Sequence, residues 1–292
     1  MVAVATSVFG ADSDVKQVRE HFKSDNYTVE WGTARTFDPG AELEIGDGSG
    51  HGFTLNWLRF RPDDKRVEVL SIRLEEGRHP YKSKWPPDRA PLTVKHARIT
   101  PDAYTALLRA LAIVDAAKLS PVPEDPMKGF SSSSRDFWVY ARLTAKNETL
   151  VDLGWAGYWG SPSEIEFAKP QAAVDLAHEA IRGLDFKEHS LTEEERGWAS
   201  SKFTRDWKKI KDAEFHWWVR ERYIIMVGVV GDASALSALR DALQRDPKDR
   251  RVYYAINAIT RLTKQDVRDK LVEEMDVVKT RQRLLDMLRD RK

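Results

Sequence analysis

The sequence predicts an α+β protein: an N-terminal antiparallel sheet domain with packed helices, followed by a short all-helical array. Between Tyr27 and Tyr158 apolar and polar residues alternate in short runs, most cleanly in Arg66-Val67-Glu68-Val69-Leu70-Ser71-Ile72-Arg73-Leu74. From Thr192 onward the apolar residues recur instead at helical steps, as in Val252, Ala255, Ile256, Ile259 and Leu262. At 292 residues, 41% hydrophobic and 32% charged, the chain is long enough for two cores and has no apolar run of membrane-spanning length.

Residues 1–14 read as a disordered or signal-like segment. Met1 to Ala11 is small and apolar but lacks a basic leader and a long apolar stretch. The expected address is therefore cytoplasmic, with an exported or periplasmic location as the alternative if residues 1–11 are the end of a signal peptide.

Residues 15–190 form the α+β domain. A short helix over Val15 to Phe22 precedes extended stretches at Tyr27 to Phe37, Ala41 to Ile45 and Phe53 to Phe60. The strand Arg66 to Leu74 turns Val67 and Val69, with Ile72 and Leu74, toward the core and leaves the sheet one wet face. After the strand Leu92 to Ile99, Thr100-Pro101-Asp102 opens a helix, with the cap first and proline at the first helical position. Tyr104, Leu107, Leu108, Leu111, Ile113 and Val114 give that helix a broad apolar side. The pattern then recurs: Phe137 to Leu143 and Thr149 to Tyr158 make a hairpin about Lys146-Asn147, and a helix runs from Pro170 to Leu184. Residues 120–134, with three prolines and four consecutive serines, lie between the two sheet-plus-helix units. Neither unit has enough strands to close a core alone, so they read as one domain, a division within 120–134 being the alternative.

Residues 191–292 form the helical domain. Thr192-Glu193-Glu194-Glu195 is a capping box. Gly231-Asp232 is a break in which glycine supplies a left-handed position and aspartate caps the next helix. Ala235, Leu236, Leu239, Ala242 and Leu243 make that helix's stripe, Asp246-Pro247 stops it, and Val252 to Leu262 make another. Val219, Tyr223 and Met226 answer to Val252, Ile256 and Ile259. Leu239 and Leu243 answer to Leu271 and Met275, and Val278, Leu284, Leu285 and Leu288 begin a further helix. The spacing of roughly thirty-odd residues is that of stacked helical hairpins. On these residues the stretch from about 213 to 290 resembles the HEAT-type helical repeat. The resemblance implies a scaffold whose exposed helix face meets a protein partner, and no reaction.

Composition excludes some chemistry. There are no cysteines, so thiol nucleophiles, thiolate metal sites and disulfides are all removed. The run Gly46-Asp47-Gly48-Ser49-Gly50-His51-Gly52 is followed by a strand, where a phosphate-binding loop needs a helix, and reads as a loose hairpin turn. No two of the seven histidines share a metal-ligand spacing; His178-Glu179 would begin a zinc-protease helix, but Arg182 stands where the second histidine must be. No cofactor and no metal is expected, and no catalytic residue stands out.

The overall charge of +1 hides an asymmetry: from Leu191 onward 23 Lys and Arg face 18 Asp and Glu, a net of +5, and the first 190 residues carry 24 against 28, a net of −4. Nucleic-acid affinity would have to come from a local patch. The junction 196–223 offers one, with Lys202, Arg205, Trp207, Lys208, Lys209, Trp217 and Arg220 as candidate binding residues, cations for phosphates and rings for bases. The competing reading is a packed aromatic stripe with basic stems along its rim. The leading expectation is thus a non-enzymatic protein-binding or scaffold protein, and the alternative is a nucleic-acid binding or processing protein using 196–223. Some DNA alkylation-repair glycosylases are built from similar helical repeats, but none of their catalytic motifs matches here, so no activity is carried over. The sequence says nothing of oligomeric state.

Overall fold

A computed structural model describes residues 12–22, 26–49, 54–63, 65–75, 92–122, 136–158, 164–210, 217–245, 250–265 and 276–289. The chain divides into two compact units. The first is built from residues up to Glu188, and the second runs from His189 and also takes in residues 52–55 and 73–94.

Up to Glu188 the elements are α1 (Asp12–Glu20), β1 (Tyr27–Glu30), β2 (Glu42–Ser49), β3 (Thr54–Pro62), β4 (Val67–Glu75), β5 (Leu92–Ile99), α2 (Pro101–Ala116), β6 (Lys118–Pro121), β7 (Asp136–Ala145), β8 (Glu148–Tyr158), α3 (Glu164–Ala180) and β9 (Lys187–Glu188), the strand ends 54–55, 73–75 and 92–94 being counted with the second unit. Seven strands form one sheet in the order β8-β7-β2-β3-β4-β5-β9, and β1 pairs with β6 in a separate ribbon. β2 lies antiparallel to β7, so strands from both sequence units share one sheet. Its core joins Leu43, Ile45, Leu58, Phe60, Val67, Val69, Val139 and Leu143 to the apolar sides of α2 and α3. The Tyr104 hydroxyl donates to the Ala41 carbonyl at 2.7 Å, and burial pushes its phenol well above its usual range.

Local chemistry sets several boundaries. Thr100 caps α2, its hydroxyl accepting the Ala103 N–H at 3.2 Å, with Pro101 first in the helix. Lys146 and Asn147, at φ 48° and 68°, turn β7 into β8, two left-handed residues matching the strand twist.

Four expectations need correction. The sheet has no continuous wet face, because Leu55, Trp57, Leu70, Ile72 and Leu74 are buried as well. They alternate with the core-facing Leu58, Phe60, Val67 and Val69, so Ile72 and Leu74 stand on the opposite face. α3 begins at Glu164 with Pro170 inside it, since Phe167 and Ala168 are buried in the turn before the proline and tertiary packing outweighs the missing N–H bond. Gly46 and Gly48 belong to β2 and not to a turn. A Cβ on Gly46 would fall 1.7 Å from the Tyr140 ring, so glycine is needed there for close approach. Gly231 is not a left-handed residue either: Gly183, at φ 80°, is the positive-φ glycine among the described residues. A Cβ on Gly231 would meet the Val227 carbonyl at 2.6 Å and the Ser200 hydroxyl at 2.8 Å, so here too space is the constraint.

In the second unit lie α4 (Glu193–Ile210), α5 (Trp217–Val230), a 3₁₀ turn (Ala233–Ala235), α6 (Leu236–Leu243), α7 (Arg250–Thr263) and α8 (Val277–Arg289). α5 packs on both α4 and α7, and α6 and α8 pack on α7 and on each other. Gly228 sets the α5–α7 approach, since a Cβ there would stand 2.7 Å from that of Ala258. The sequence-matched positions Leu271 and Met275 and the Asp246-Pro247 stop lie outside the described residues.

Candidate functional site

α4 starts where the capping box puts it. The Glu195 N–H donates to the Thr192 hydroxyl at 3.2 Å, and the Glu195 carboxylate accepts the Thr192 N–H at 2.8 Å and faces His189 at 2.9 Å. Burial opposes the Glu195 charge, but the Thr192 N–H, His189 and the Thr192 hydroxyl outweigh it and hold the carboxyl below its ordinary value.

The helix then sends its aromatic and basic stripe inward. Lys202 is fully buried, and its ammonium donates to Asp206 and reaches the Tyr223 hydroxyl at 3.5 Å. Tyr223 donates in turn to Asp206 at 3.2 Å, while the other Asp206 oxygen meets Arg205 Nε at 3.4 Å. Trp207 is 2% exposed, stacks on Phe203 at 5.5 Å between ring centres and donates through Nε1 to Asp241 on α6 at 3.1 Å. Arg220 is buried as well.

Of the seven sequence candidates, Lys202, Trp207 and Arg220 are therefore interior groups, which a phosphate cannot reach in this conformation. Arg205 is part-buried on Asp206, and Lys208 is exposed. The side chains of Lys209 and Trp217 lie outside the described ones. The spacing was legible, but the acceptors that draw the stripe inward, Asp206 for Lys202 and Asp241 for the Trp207 indole, sit on the same stripe and on another helix.

Beside the first turn of α4 a different group of cations lines an open cleft of about 690 Å³. Its walls are Arg196 from α4, Gly228 and Val229 from α5, Gly231, Asp232 and Ala233 from the turn after α5, and Arg261, Leu262 and Lys264 at the end of α7. Arg196 Nη1 donates to the Val229 carbonyl at 3.2 Å, which fixes one edge of its guanidinium. The Ser200 hydroxyl accepts the Asp232 N–H at 2.8 Å and clips the turn to α4. Asp232 caps the 3₁₀ turn, one carboxylate oxygen accepting both the N–H and the hydroxyl of Ser234, at 2.9 and 2.6 Å. Burial raises its pKa, but the Ser234 hydroxyl and N–H, Ser200 and the charge of Arg196 lower it further, so the group is held below 3.8 and is ionised at neutral pH. Lys264 ends α7 in the left-handed region at φ 54° and is exposed.

In the sequence Arg196 is one basic residue of the junction among several, and neither Arg261 nor Lys264 stands out. The one available signal was the Gly231-Asp232 break itself, which marks where helix ends from separate segments gather.

In the first unit the structure joins two features that look unrelated in sequence. Asp47, from the glycine-rich run, accepts Asn56 Nδ2 at 2.8 Å and faces His178 Nε2 at 3.0 Å. The imidazole is thereby oriented by a strand carboxylate. Among the described residues no group of three or more His, Asp or Glu is placed to hold a metal ion, and no helix is long and apolar enough to cross a membrane.

Comparison with family models, with curated proteins and with solved structures gives no match for this chain.

Proposed function

We propose that the protein is a non-enzymatic binding or scaffold protein, in which a short array of HEAT-like helical pairs presents its helix ends to a protein partner. The supporting observation is the cleft of about 690 Å³ at the ends of α5 and α7, within the size range of pockets that hold side chains or small ligands. The stacking of α5 on α7 and of α7 on α8 is what successive first helices of a repeat array would give, and such arrays offer extended surfaces to partners. The nucleic-acid alternative through residues 196–223 draws less support, because Lys202, Trp207 and Arg220 are buried.

A photo-reactive amino acid at Ala233, an exposed cleft residue, tests the reading in cells, with Thr149 on the first unit as the control position. Discrete protein adducts at Ala233 and not at Thr149 are expected. Adducts equally abundant at both positions, or none at either, would count against a partner at the cleft. In a parallel titration, single-stranded or duplex DNA that binds at low micromolar concentration and weakens steeply with salt would move the reading to nucleic acid.

A further inference from the structure

We draw no further inference here: the strongest candidate, the side-chain cluster in which Asp47 of β2 accepts Asn56 of β3 and faces His178 of α3, carries nothing because nothing among the described residues shows what the imidazole would act on.

Discussion

Arg196 and Lys202 belong to the same helix, yet one borders an open cleft and the other has no exposure at all. Lys202 is neutralised from within its own helix by Asp206, four residues on, and by the Tyr223 hydroxyl on α5. Arg196 donates to a backbone carbonyl, and its charge helps to hold the Asp232 carboxylate, which caps its own turn, below the ordinary value. The same charge is therefore buried against a carboxylate at one place and borders an open cleft at the other. What separates them is the direction each position faces: Lys202 points to the Tyr223 hydroxyl on α5, and Arg196 borders the cleft.

The sharpest way to break this contrast is to remove the internal anion. Asp206→Ala would take from the buried Lys202 its carboxylate partner on α4, and truncating one member of a buried pair costs about 3–5 kcal/mol. Urea denaturation of the variant should show a loss of that order. Replacing both groups by apolar residues, Lys202→Met with Asp206→Leu, should recover most of it. A loss below about 1 kcal/mol would mean that the pair is solvated and that α4 does not bury this stripe.

Next in size is a packing test under the cleft. Gly228→Ala places a methyl group 2.7 Å from the Ala258 Cβ and 2.8 Å from its Cα, so α5 and α7 must separate. Overpacking of this kind costs about 1–3 kcal/mol. Urea denaturation of the variant should show a loss on that scale; a loss below about 0.5 kcal/mol would mean that the two helices separate without strain.

Acid titration contrasts the two units themselves. Glu195 and Asp232 in the second unit have depressed pKa values, so the stability they give is present above their ordinary values of 4.5 and 3.8 and is lost as pH falls through the lower folded values. Asp175 on α3 behaves in the opposite sense. Burial raises its pKa, more than the Gln171 hydrogen bond and the charges of His21 and His178 lower it. Its ionised form is a penalty that acid removes as pH falls through the raised folded value toward 3.8. Amide exchange followed from neutral pH to about pH 3 should therefore show α4 and the turn at Asp232 losing protection before the C-terminal turns of α3. The reverse order would mean that these carboxylates do not carry the helix starts.

Much of this architecture was legible because it is written in periodicity and caps. Thr100-Pro101 and Thr192 to Glu195 name helix starts by local hydrogen bonding, and the residues concerned behave accordingly. The antiparallel strands were legible from alternation. What was missed depends on partners distant in sequence. β6 and β9 have four and two residues and no alternation of their own, and they exist through pairing with β1 and β5. Gly46 and Gly231 looked like turn residues, but their roles are set by Tyr140 and by Val227 with Ser200. The candidate site failed to be legible for the same reason: a stripe of Lys and Trp reads alike whether its acceptors lie in solvent or in the core.

The smallest expected change sets two opposing effects against each other at one helix end. Lys264→Gly removes a Cβ from a left-handed position, which ought to stabilise the end of α7 by about 1 kcal/mol. It also removes an exposed positive charge from the end of the helix. Were Lys264 merely a neutraliser for the C-terminal end of α7, glycine would lose a favourable charge interaction of about 0.3–1 kcal/mol, and the two effects would nearly cancel. A variant that melts higher would show that the left-handed backbone costs the end of α7 more than the lysine charge returns. A variant that is no more stable would show that the lysine charge at the helix end offsets the strain of its own backbone position.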